Sequence, residues 1–163
     1  MGQRRLARER AVQILYSVDR TGQSLTDALV AYLELQDEAK ARKVLHHFTV
    51  ELLERTLEHL AEIDRILNEV ITHWQPERVA IVDRQILRLA ACELFYFDDI
   101  PPKVTLNEYI EVAKVYCGAE AAAFVNGVLD RVAHMRGAKL EAGSGYSSER
   151  SEARSENVRE AKV

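Results

Sequence analysis

Apolar residues recur at three- and four-residue spacing through almost all of this 163-residue chain, and nowhere does the strict alternation of a half-buried strand replace them. That periodicity admits one fold class, an all-α bundle. Only three prolines and seven glycines interrupt it, so the breaks are few. A first helix is expected from about Arg4 to Arg20, stopped by Thr21-Gly22. A second starts at Ser24, with Asp27 three residues on as a weak capping partner, and runs to about Gln36. Residues 37–74 stay periodic for too long to be one ordinary helix and should divide into two. Pro76 suits the first position of the next helix, which reaches about Phe97. Pro101 and Pro102 forbid helix across DDIPP, and two further helices follow, from about Val104 to Tyr116 and from Ala119 to Arg136, parted by Gly118. About seven helices result, in one domain over residues 1–137. Residues 138–163 are serine-rich and charged, with almost no apolar periodicity; they read as a disordered tail, because they bury too little surface to offset ordering.

The composition, 47% hydrophobic and 29% charged, is that of a globular protein. No apolar run is long enough to span a bilayer, and the charged N-terminus lacks the apolar core of a secretory signal. Cys92 and Cys117 make neither a disulfide framework nor metal-ligand spacing; they read as buried thiols of a cytoplasmic protein. His46 and His47 are adjacent and point different ways on a helix, and His59, His73 and His134 are scattered. There is no glycine-rich phosphate loop, CxxC, HExxH or nucleophile elbow. No enzyme activity, metal or cofactor is therefore expected, and a binding or adaptor protein leads.

The opening MGQRRLARERAVQILYSVDR places four arginines in ten residues of a chain whose formal net charge is −4. At about 100° per residue, Ala7, Ala11, Ile14 and Val18 fall together as the buried stripe. Arg5, Arg8, Gln13 and Tyr16 fall on the far side with Glu9, and Arg4 lies at its edge. Guanidinium forks suit phosphate and a tyrosine can stack on a base, so this face has the make-up of a single-stranded nucleic-acid site. The blander reading is a solvated helix end, with Tyr16 lying over a neighbour. Later in the chain, Arg84 and Arg88 are one turn apart and better explained by salt bridges than by a phosphate track. Glu93 falls within the apolar stripe of its helix and is expected to accept hydrogen bonds from orphan amides at a helix start near Val104. Asn107 and Asn126 are expected to bond across helix pairs. Phe124 sits beside its helix's stripe and suits either the rim of the core or a stacking platform, the core being favoured on position alone.

Four blocks carry a resemblance: RRLARERAVQILYSVD, the Ile63-Asp64-x-Ile66 pattern with Trp74 beyond it, DRQILRLAACEL followed by DIPPKVTLNEYIEVAK, and FVNGVLDRV. In order and spacing, from about Arg4 to Val132, the chain resembles the NusB family of bacterial transcription antitermination factors. The resemblance implies two packed helical subdomains, binding to the boxA segment of nascent ribosomal RNA transcripts, and a heterodimer with NusE, the small-subunit ribosomal protein S ten. With other Nus factors that complex acts on RNA polymerase so that it passes terminators; no catalysis and no cofactor are implied. Carried onto this sequence, the implied RNA-binding residues are Arg4, Arg5, Arg8, Gln13, Tyr16, Arg88 and Phe124, which moves Phe124 from core to contact. The implied partner-binding residues are Glu77 and Asp83, with Tyr16 near the junction. Leu6 interrupts the arginine run, and no glycine follows the Phe48 pattern, which reads ELLERT. Two other function classes compete. One is the RNA-targeting domain of an RNA cytosine methyltransferase, which the absence of any βαβ methyl-donor region disfavours for the chain as it stands. The other is a protein-interaction bundle without RNA contact, which the acidic total charge favours slightly. Oligomeric state is left open, a homodimer included.

Overall fold

The computed structural model describes residues 2–36, 47–72 and 79–137. These residues hold seven helices and no strand: α1 (Gln3–Thr21), α2 (Leu25–Glu34), α3 (His47–Glu58), α4 (Leu60–Ile71), α5 (Ile81–Tyr96), α6 (Pro102–Cys117) and α7 (119–137). The disordered tail expected beyond Gly137 and the helix start expected at Pro76 lie outside the described residues.

Local signals set most boundaries. Gly22 takes the left-handed conformation, φ 69°, and its N–H donates to the Val18 carbonyl, which closes α1 where the sequence placed the stop. The Ser24 hydroxyl accepts from the Asp27 N–H and caps α2, which ends two residues short of the expected Gln36. The long periodic stretch breaks at His59, whose φ of −105° departs from helix between α3 and α4. The imidazole is stacked on the Tyr96 ring with 3.8 Å between centroids. Helix α6 begins at Pro102, earlier than the expected Val104, because a proline at the first helical position gives up only an N–H that has no intrahelical partner there.

Helix α5 is the axle of the bundle. Helices α1, α3, α4 and α6 all pack on it. Every residue from Gln85 to Leu94 is buried. A helix enclosed on all sides shows no clean amphipathic stripe, which is why the single stripe expected for it (Val79, Val82, Ile86, Leu89, Ala90 and Phe97) covers only part of what it buries. Helix α1 packs on α2, α3, α5 and α6, and α7 contributes Ala122, Val125, Val128, Leu129 and Val132 to the same continuous core. Asn107 and Asn126 are exposed and do not cross-link helices as expected. Leu89 is wholly buried on the axle, so Leu89→Ala should cost about 2–5 kcal/mol of unfolding free energy, measured by chemical denaturation. A loss under about 0.5 kcal/mol, the scale of a surface substitution, would show that α5 is not packed on all sides.

Candidate nucleic-acid interface

Arg8 is not on the exposed face where the sequence reading put it. It is 2% exposed and shares the buried side of α1 with Ala11, Val12 and Leu15. Because α1 is covered by several helices, its buried sector is wider than the stripe of Ala7, Ala11, Ile14 and Val18. The Arg8 Nε and Nη2 donate to the two Glu93 oxygens at 2.9 and 2.7 Å. The Thr105 hydroxyl adds a 3.2 Å hydrogen bond to Glu93. Glu93 is thus satisfied by a guanidinium and a hydroxyl, not by orphan amides; the Val104 and Thr105 N–H groups go to the Pro101 carbonyl. The Arg8 guanidinium also lies over the rings of Phe48 and Tyr109, 5.2 and 5.7 Å from their centroids. Burial by itself would lower the Arg8 pKa, but the hydrogen bonds and charge of Glu93 outweigh it and raise the value, so the guanidinium stays charged.

Arg88 is likewise buried. Its Nε and Nη2 donate to the Asp64 carboxylate at 2.8 and 2.9 Å, and Nη1 reaches Gln85 Oε1 at 3.2 Å and Asp19 Oδ1 at 3.5 Å. Salt bridging, the reading its spacing favoured, is what the structure shows.

Glu9, placed on the same face, is also buried at 8% exposure, whereas Arg4, Arg5, Gln13 and Tyr16 do reach solvent. Arg4 is exposed and its guanidinium lies 5.1 Å from the Phe48 centroid. Arg5 is half-buried and forms a two-pronged pair with Glu108 of α6, Nε at 2.7 Å and Nη2 at 3.1 Å. That hydrogen bonding, opposed in part by burial, holds the Glu108 carboxyl below its usual range. The pair's stabilisation is therefore present at neutral pH and lost as pH falls through the lowered value. The exposed Gln13 amide bridges two tyrosines: its nitrogen donates to the Tyr116 hydroxyl at 2.9 Å, and its oxygen accepts from the Tyr32 hydroxyl at 3.3 Å. Tyr16 is 38% exposed. Phe124 is half-buried on α7 against the core. Around the start of α1, Gly2, Arg4, Arg5, Arg8, Val104 and Glu108 line an open cleft of about 270 Å³.

The expected partner residues fare differently. Glu77 lies outside the described residues. Asp83, in the first turn of α5, is 7% exposed, so it is not the surface contact expected of it. Its Oδ1 has no hydrogen-bond partner, and its other contact is the Cys117 thiol, whose pKa burial and the nearby carboxylate raise to about 12. Cys92 is wholly buried, and burial raises its thiol to about 12 as well. Both cysteines are therefore neutral thiols at pH 7. Among the described residues no group of three or more His, Cys, Asp or Glu is placed to hold a metal ion, and no helix is long and apolar enough to cross a membrane.

Sequence reasoning missed Glu108, Tyr32, Tyr116, Asp19 and Asp64 as partners of the site. The Arg5–Glu108 contact joins residues 103 apart, and Arg8–Glu93 residues 85 apart. No local spacing signals either; the one clue was a glutamate inside the apolar stripe of α5.

The profile of the NusB family matches residues 5–134. The chain belongs to the NusB family. The transcription antitermination protein NusB of Halalkalibacterium halodurans is 41% identical over 78% of this chain and 91% of its own length. The NusB of Myxococcus xanthus is 40% identical over 82% of this chain and 96% of its own. Among solved structures, T. maritima NusB superposes with a TM-score of 0.66 at 32% identity, covering 82% of this chain and 92% of that one. A crystal structure of NusB and NusE in complex with double-stranded RNA has the same fold, TM-score 0.65 at 24% identity, over 81% of this chain and 96% of that one.

The buried Arg8–Glu93 pair yields a sharp expectation. Glu93→Gln leaves a guanidinium in the core without its counter-charge and should cost about 3–5 kcal/mol, read as a drop in denaturation midpoint. The paired change Arg8→Met with Glu93→Leu should cost less than either single change; if it costs the sum of both, the two groups act independently.

Proposed function

We propose that this NusB-family protein is a transcription antitermination factor that binds boxA RNA of nascent ribosomal transcripts with NusE and, alongside other Nus factors, lets RNA polymerase pass terminators. The observation that carries the reading is that α1 exposes Arg4, Gln13 and Tyr16 and half-exposes Arg5 on a chain that is acidic overall. Family membership and the fold shared with an RNA-bound NusB–NusE complex support it.

The work is binding, and each residue has a role set by its surroundings. Arg4 and Arg5 take backbone phosphates, because a guanidinium fork matches phosphate oxygens and stays charged at any physiological pH. Tyr16 and Phe124 offer ring faces to unstacked bases. Gln13, fixed by its two tyrosines, offers the edge of the same surface. Arg8 and Arg88 are too deeply paired to reach RNA and act as positioning residues, Arg8 for the start of α1 and Arg88 for the α1–α4–α5 junction. Tyr16 and Glu77 are assigned to the NusE contact, with Asp83 supporting the start of α5 from within. The setting is the cytoplasm, where transcription takes place, and no cofactor enters the scheme.

Labelled boxA RNA titrated with the protein, alone and with NusE, at two salt concentrations and against a scrambled sequence, tests the reading. Preferential binding that weakens with salt and tightens with NusE is expected. Reversing Arg4 to Glu should weaken it severalfold without lowering the melting temperature, reversing Arg5 as well should weaken it further while costing about 1 kcal/mol of stability through the lost Glu108 pair, and Phe124→Ala should cost about 1–3 kcal/mol of binding, the worth of one stacked base. Equal affinity for both RNAs at every salt concentration would leave a protein-interaction bundle as the better account.

A further inference from the structure

The solvent face of α1 is not presented to RNA unopposed. Of the arginines at the start of the chain, Arg5 already has its Nε–Nη2 edge filled by the Glu108 carboxylate. That side-on, two-pronged approach is the one a phosphate uses on a guanidinium. The pair also differs from other arginine pairs among the described residues: Arg88–Asp64 is likewise two-pronged, but its guanidinium is only 10% exposed. Arg8–Glu93, at 2% and 0% side-chain exposure, is sealed. Arg65–Glu62 is a local pair within α4. Arg5–Glu108 joins α1 to α6, is 35% and 23% exposed, and lines the cleft that Arg4 and Gly2 share.

We infer that Glu108 occupies the seat of an RNA phosphate on Arg5, and that RNA binds by displacing it. The inference rests on the RNA-binding reading above and adds an affinity-setting residue to it. The displaced carboxylate has solvent to turn to, since α6 carries Glu111 and Lys114 on its exposed side one and two turns further on, paired with each other at 3.0 Å. Displacement has two consequences. Every RNA binds more weakly than it would to a free Arg5, because only the fraction of molecules with the pair open is competent. The factor is the same for every RNA that seats a phosphate on Arg5, so the ratio between sequences is unchanged, while an RNA that makes phosphate contacts but no base contacts is pushed from weak binding to negligible occupancy.

The test replaces Glu108 by Gln, which keeps the volume and removes the charge, and measures Kd for boxA and scrambled RNA across a salt series. The expected result is tighter binding of both, by roughly two- to fivefold, the scale of a solvent-accessible ion pair. The salt dependence should steepen by up to about one phosphate contact, and the preference for boxA over the scrambled RNA should stay the same, since both gain by one factor. Glu111→Gln removes the same charge from the same helix without touching the Arg5 fork, and should give a smaller gain. In an Arg5→Ala background the Glu108→Gln gain should vanish, because the two residues act through one contact. Weaker or unchanged binding by Glu108→Gln, with boxA binding by the unaltered protein intact, overturns the inference alone and makes Glu108 a brace that holds Arg5 in place. A gain equal to that of Glu111→Gln overturns it too, as a general charge effect. An unaltered protein that binds no RNA overturns the functional reading and the inference together.

Discussion

The buried ion pair between Arg8 and Glu93 is the contact on which the arrangement of the other helices depends. One guanidinium from the first turns of α1 crosses to the centre of α5, meets a hydroxyl from α6 on the same carboxylate, and lies beneath aromatic rings from α3 and α6. Four helices are held in register by groups that tolerate no slippage. Moving α1 along α5 by one residue would separate two full charges in a medium that solvates neither. An apolar contact at the same place would resist sliding far less, because hydrophobic burial has no direction. The pair therefore fixes where the start of α1 lies on the bundle, and with it where Arg4 and Arg5 stand.

Much of the fold was legible in the sequence, and the reasons are local. Gly22, Ser24 and Gly118 act within a few residues, so their effects can be read without knowing the tertiary structure, whereas Pro102, read as a helix breaker, stands at the first position of α6 and starts it. The face of α1 was legible only in part. Gln13 and Tyr16 do point outward, but the assignment of Arg8 assumed a helix buried on one stripe, and α1 is covered by four neighbours. The same assumption failed for the exposure of Arg88 on α5, which is buried in the salt bridge that its spacing favoured. Angular position fixes which residues share a face; it does not fix how wide a face the rest of the molecule covers. Asp83 shows the same limit, since its burial is set by packing around Cys117 and not by its own neighbours in sequence.

The arginines of this protein thus fall into two kinds, sorted by the solvent exposure of the guanidiniums themselves. Arg8 and Arg88 have side chains 2% and 10% exposed, and their charges serve the fold. Arg5 is 35% exposed beside Glu108, and Arg4 rests against an aromatic ring at the surface. The distinction decides function because the energy of an ion pair depends on its surroundings: a sealed pair is lost only with the fold, whereas an accessible one exchanges partners at a cost comparable to thermal energy.

That exchangeability resolves the tension between an acidic chain and a nucleic-acid face. A formal charge of −4 opposes RNA at long range. At physiological salt this repulsion is screened beyond about 8 Å, and what remains is the local arrangement at the start of α1. Binding there must come from close contacts, and in the proposed interface stacking on Tyr16 and Phe124 supplies what the overall field does not. A strongly basic surface would hold any RNA it met. An acidic one with a small cationic face holds an RNA only when phosphate and base contacts are made together, which is the condition a factor reading one segment of a long transcript has to meet.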